Sequence, residues 1–200
     1  MSEVSKGYSE TLTQGGIMYR ICLFASFFLA LILCACGPIV TDAEVPDTAT
    51  TNSTFPVTIF AEVAECGGQT SFGGVAIQIP NGWDADEVEY FGPDSGAMIV
   101  SDGLVQDYLD ATFDPPAGYK WCGFQTEVML NPEDGALYTI LMTVHTDDLE
   151  GVVELSFHSS YSDDGFVWWG EADPLGGFFI EILPAAMEQE TWAAIKSSFE

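Results

Sequence analysis

Residues 136–161, ALYTILMTVHTDDLEGVVELSFHSSY, decide the fold. Tyr138, Ile140, Met142 and Val144 alternate with Thr139, Leu141, Thr143 and His145. After Asp147-Asp148-Leu149-Glu150, Val153, Leu155 and Phe157 alternate with Glu154, Ser156 and His158. A period of two puts successive side chains on opposite faces, so both runs read as strands. Joined by that short polar segment, they predict a hairpin with one buried face and one wetter face. The two histidines fall on the wetter face. With the turn centred at 148–149 they stand roughly 20 Å apart, so each is expected to be an exposed surface histidine outside any shared site.

The same pattern extends outward. Val57, Ile59, Ala61 and Val63 alternate, as do Val75, Ile77 and Ile79, with Gly67-Gly68, Gly73-Gly74 and Pro80-Asn81-Gly82 as turn punctuation. Short strands are expected at 86–91, 96–101, 166–170 and 177–183. Residues 103–113 fit a helical turn or two, with Leu104, Tyr108 and Leu109 on the apolar side. Pro184 opens a predicted amphipathic C-terminal helix carrying Met187, Trp192, Ile195 and Phe199. About nine strands without βα alternation make residues 56–200 a single mainly β domain, an antiparallel β-sandwich with a short C-terminal helix. An immunoglobulin arrangement fits poorly, since Lys120 rather than tyrosine stands two before Cys122. Ile79-Pro80-Asn81-Gly82-Trp83, with a helix over Thr191 to Phe199, resembles secreted domains of the PsbP/Mog1 type; that resemblance implies an α+β fold as the alternative.

At the N-terminus, residues 1–17 are polar and read as an upstream extension before a start at Met18. Arg20 then precedes an unbroken apolar run, 21–35, too short for a bilayer span of about 20 residues and suited to a signal peptide. Its end, Leu33-Cys34-Ala35-Cys36, resembles the lipobox of bacterial lipoprotein precursors. The resemblance implies cleavage before Cys36, acylation of that cysteine and anchorage in the cell envelope. Gly37 in place of aspartate implies the outer membrane if the cell is Gram-negative. Residues 36–55, rich in threonine, aspartate and proline, then read as a flexible tether with a reach of about 25 Å.

Composition limits the partners. The chain has 31 acidic and 4 basic residues, a net charge of −27. The charges of residues 1–35 cancel, leaving Lys120 and Lys196 as the strong cations beyond the leader. No basic patch exists to neutralise phosphates, which excludes nucleic acid. A 48% hydrophobic content supports a folded core. With Cys22 and Cys34 in the leader and Cys36 acylated, Cys66 and Cys122 remain as a candidate disulfide in an oxidising compartment.

Motifs of catalysis are missing: there is no Gly-x-Ser-x-Gly, His-Glu-x-x-His or Walker loop. Candidate calcium-binding carboxylates are Asp84 and Asp86, Asp147 and Asp148, and Asp163 and Asp164, although none has EF-hand spacing and no cofactor is required. Adjacent Trp168 and Trp169 should face opposite ways in a strand, one into the core and one outward with Tyr161 or Phe166 as a ligand-binding aromatic. These features describe a non-catalytic binding or adhesion module for a protein or glycan. The alternatives are an envelope-structural or assembly-accessory lipoprotein, and a hydrolase.

Overall fold

The computed structural model describes residues 38–63, 70–131, 133, 135–170 and 172–185, all within one compact unit, Cys36–Glu200. Ten strands follow in chain order: β1 (Pro38–Glu44), β2 (Thr48–Thr50), β3 (Thr54–Val63), β4 (Phe72–Pro80), β5 (Asp84–Phe91), β6 (Ser95–Val100), β7 (Tyr119–Thr126), β8 (Leu137–His145), β9 (Gly151–Ser162) and β10 (Leu175–Leu183). Between β6 and β7 a π-helical turn, Leu104–Leu109, runs into one α-helical turn, Asp110–Thr112.

The strands form one curled sheet in the order β1-β3-β8-β5-β6-β7-β4-β9-β10-β2. Its strand β6 passes from one layer to the other: Ser95 to Ala97 pair with β5, Met98 to Val100 with β7. All neighbours are antiparallel except β2 and β10. The result is the expected antiparallel β-sandwich. Its core lies between the layers, where Val57, Ile59, Ile140, Met142 and Val144 of the first meet Ile77, Ile79, Val153, Leu155 and Phe157 of the second.

The hairpin expected over 136–161 does not form. β8 pairs with β3 and β5, whereas β9 pairs with β4 and β10, so the chain crosses between layers at Thr146–Glu150. The crossing is knitted to the turn before β3. The Thr146 hydroxyl accepts from the Ser53 N–H at 2.9 Å and donates to the Thr50 carbonyl at 2.8 Å, and the Asn52 N–H donates to the Asp147 carbonyl at 2.8 Å. Alternation is identical for a hairpin and for an arch between layers; only the loop's partners distinguish them.

The tether is also corrected. Pro38–Glu44 and Thr48–Thr50 are strand: β1 lies along β3, burying Val40 and Ala43, and β2 lies along β10. A register shift between Val40 and Asp42 sets the buried positions three apart and erases the period-two signal. Residues 166–170 contribute a single bridge, Tyr161 to Trp169, in place of a strand. The expected signal peptide, Cys36 and the part of the expected C-terminal helix beyond Ala185 lie outside the described residues.

Candidate functional site

The two faces of the sandwich are finished differently. On the second layer, four neighbouring outward positions of the central strands are small: Gly74, Ala76, Gly123 and Ser160. That leaves room for a third layer. Leu104 and Leu109 of the helical turns and Trp168 of the β9–β10 connection pack there with Trp121 and Ala76. A Cβ on Gly74 would come within 2.7 Å of Trp168 and 3.1 Å of Leu104, so the small residue is required for the covering.

His158 is caught beneath that cover, contrary to the expected exposed position. It is 2% exposed, its ring 5.7 Å from that of Tyr108 and 4.9 Å from that of Phe113. Burial drives its pKa down to about 4, against a smaller upward pull from Asp173. Burial likewise raises the Tyr108 pKa, partly offset by a hydrogen bond with the Gly170 backbone. Among the described residues His158 Nε2, Ser160 Oγ and Trp168 Nε1 are buried without a hydrogen-bond partner. His145, by contrast, is partly exposed at the far end of the first layer, its Nε2 2.7 Å from Asp86 Oδ1.

The candidate calcium carboxylates do not converge. Asp84 and Asp86 flank the end of β8, with Asp147 and Asp148 in the crossing, while Asp163 and Asp164 stand at the opposite end. Several serve the fold itself. Asp147 Oδ1 accepts from the buried Trp83 indole at 3.1 Å and from the Leu149 N–H at 2.9 Å. Asp164 Oδ1 accepts from Phe166 and Val167 N–H at 2.8 and 3.0 Å, which pulls its pKa below the usual carboxylate range. Among the described residues no group of three or more His, Cys, Asp or Glu could hold a metal ion.

Cys122 is a free thiol whose pKa is raised chiefly by burial, and its candidate partner Cys66 lies outside the described residues. Trp168 and Trp169 do point opposite ways. Trp168 is buried in the third layer, and Trp169 is exposed with its ring 5.8 Å from Tyr161.

Cavities are small or shallow. An apolar cavity between the layers, lined by residues such as Pro38, Tyr90, Leu130 and Tyr138, measures about 30 Å³, which is room for about one water. A depression of about 310 Å³ over β4 and β9 is lined by Gln78, Pro116, Tyr119, Glu154 and Ser156. It offers one carboxylate, where glycoside hydrolysis uses two. That carboxylate is already held by the Gly177 N–H at 3.0 Å.

Among the described residues nothing covers the first layer. Leu137, Leu141 and Phe91 project from its outer face, 67%, 41% and 44% exposed, beside half-buried Phe60. The register makes them neighbours: Phe60 and Phe91 both lie opposite Thr139, between Leu137 and Leu141. Exposed Glu62 and Glu89 stand opposite Leu137 and Leu141, with Asp84 and Asp86 further along the same face.

No protein-family description and no curated protein matches the chain. Among solved structures it is similar to a cohesin module from a Clostridium perfringens family 33 glycoside hydrolase, at 12% identity over 76% of this chain and 99% of that one, with a TM-score of 0.40. It is also similar to the major pilin SpaD from Corynebacterium diphtheriae, at 11% identity over 72% of this chain and 33% of the pilin, with a TM-score of 0.42. A third likeness is to a chain of a cohesin–dockerin complex from Clostridium thermocellum, at 14% identity over 74% and 99%, with a TM-score of 0.34. Likeness this faint carries no argument about this chain.

Proposed function

We propose that this is a lipid-anchored lipoprotein of the bacterial envelope that acts by binding a protein partner through the bare face of its first layer. One observation carries the reading: the stripe of Leu137, Leu141, Phe91 and Phe60, with acidic residues beside it, faces outward, whereas on the second layer the patch around Ala76 and Trp121 is covered by Leu104, Leu109 and Trp168. An exposed apolar patch with a polar rim is the usual signature of a docking surface. The rim and the net charge of −27 favour a partner with basic residues around an apolar centre. Trp169 stacked on Tyr161 offers one ring pair, a smaller surface than a sugar platform uses.

A photo-reactive side chain at Leu141 in intact envelopes tests this. It should give a discrete adduct that Leu137→Asp removes and added salt weakens, whereas the same probe at Val152, on the other layer, should not. An adduct indifferent to Leu137→Asp, or none, sinks the reading. Cys36→Ser should move the protein from membrane to soluble fraction if the anchor is correctly assigned.

A further inference from the structure

We infer that the domain sits directly on the membrane surface, seated through the loops at the Pro38 end of the sandwich on zwitterionic lipid headgroups. The inference rests on the lipid-anchor reading and adds to it a defined contact face. Two chain steps separate Cys36 from Pro38, the first residue of β1; at 3.8 Å per step they span at most about 7.5 Å. Pro38 is fixed from both layers. It pairs with Val63 of β3, and its carbonyl accepts from Ser159 Oγ of β9 at 2.6 Å. With no slack in the chain, an anchor at Cys36 brings this end of the domain to the lipid.

The register identifies what shares that end. Val63 ends β3 opposite Pro38, and Leu137 begins β8 opposite Glu62. Phe72 begins β4 opposite Ser162, and β7 ends at Thr126 beside Gly74 and Gln125 of the β4–β7 pair. The segments after Thr126 and after Ser162 therefore emerge at the Pro38 end, and Ser162 lies about 10 Å along β9 from the residue that holds Pro38.

Those two segments carry the apolar tips. Val128 and Met129 follow β7, and Phe166 and Val167 follow β9, all four exposed, Phe166 at 78%. Both loops are held in shape from within. Thr126 Oγ1 donates to the Val128 carbonyl at 2.8 Å, and the Asp164 carboxylate holds the backbone of Phe166 and Val167. Two apolar pairs on braced loops, at the end the anchor must bring down, are suited to resting in the headgroup region.

The charge around them selects the lipid. Asp94, Glu127, Glu133 and Asp163 stand in the connections at the same end. They are repelled by anionic headgroups within a Debye length, so the surface that fits is a zwitterionic one.

The test uses the full-length acylated protein in vesicles of zwitterionic phosphatidylcholine with brominated acyl chains, read by tryptophan fluorescence. Phe166→Trp places a reporter on a seating loop, and Leu149→Trp places one in the β8–β9 crossing at the other end. Flotation with the vesicles, abolished by Cys36→Ser, reports anchorage separately. The expected result is quenching of the Phe166→Trp signal by the acyl-chain bromines at least twofold beyond wild type, with none added by Leu149→Trp. Flotation with equal quenching of both reporters overturns the seating and leaves the anchor standing. Flotation with Phe166→Trp shielded from the lipid bromines and from aqueous quenchers overturns it in favour of a protein covering those loops. Failure to float overturns the anchor and the seating together.

Discussion

His158 is the residue whose chemistry depends most on its surroundings. It occupies the outward parity of β9, where a strand facing water would leave it near its ordinary pKa, but Tyr108, Phe113 and Gly170 close over it. Tyr108 and, more distantly, Asp173 are the titratable groups identified around it. A folded-state pKa of about 4, against 6.5 when unfolded, means that the unfolded chain takes up the proton first as pH falls. The stabilisation is complete above pH 6.5 and is lost between 6.5 and about 4, amounting to about 3 kcal/mol. Denaturant titrations of the wild type and of His158→Phe should therefore diverge across that window. Parallel pH profiles would mean that the imidazole is hydrated in the folded state. Periodicity alone placed this histidine on the correct side of its strand. It gave no indication that the side was covered, because the cover comes from residues 104–113 and 168, far away in sequence.

At the level of elements, the glycines and small residues of the second layer were the available clue. Gly74, Ala76, Gly123 and Ser160 form a flat outward patch on which the helical turns rest. Gly74→Ala should push Trp168 and Leu104 off that patch at a cost of about 1–3 kcal/mol, read as a lowered urea midpoint with an unchanged slope. An unaltered midpoint would show that the third layer is loosely held. Strand positions were legible wherever large apolar residues alternate with small or polar ones, as in β3, β4, β8 and β9. They were not legible in β1, where the bulge breaks the alternation, nor in the three-residue β2, which is too short to show a period. The choice between hairpin and arch at 146–150 was equally hidden, since it is settled by Thr146 and Asp147 finding Thr50, Ser53 and Trp83. Of the candidate site, the opposed Trp168 and Trp169 were legible from adjacency. The acid-flanked face of the first layer was not, because its members are neighbours only once β3, β8 and β5 are aligned.

For the whole molecule, the balance of charge is the dominant long-range term. A net charge of −27 with so few cations makes the folded state repel itself; raising ionic strength from 0.01 to 0.15 M shortens the Debye length from about 30 Å to about 8 Å. The thermal midpoint should rise by a few degrees over that range, to the same extent with sodium and with calcium at equal ionic strength. A further rise specific to calcium would reveal a folded-state ion site that the scattered carboxylates do not provide.

The pairing of β2 with β10 joins the second described strand to the tenth. Thr48 to Thr50 lie along Glu181 to Leu183, so the sheet cannot be completed until nearly the entire domain is available. A chain threaded N-terminus first through a translocation channel would emerge with β1 and β2 lacking β9 and β10, their partners in the second layer. Such an order delays the closing of the sandwich to the final moments of transit. In such a transit the topology would act as a timer, keeping the polypeptide pliable in the channel and letting it become rigid only on arrival.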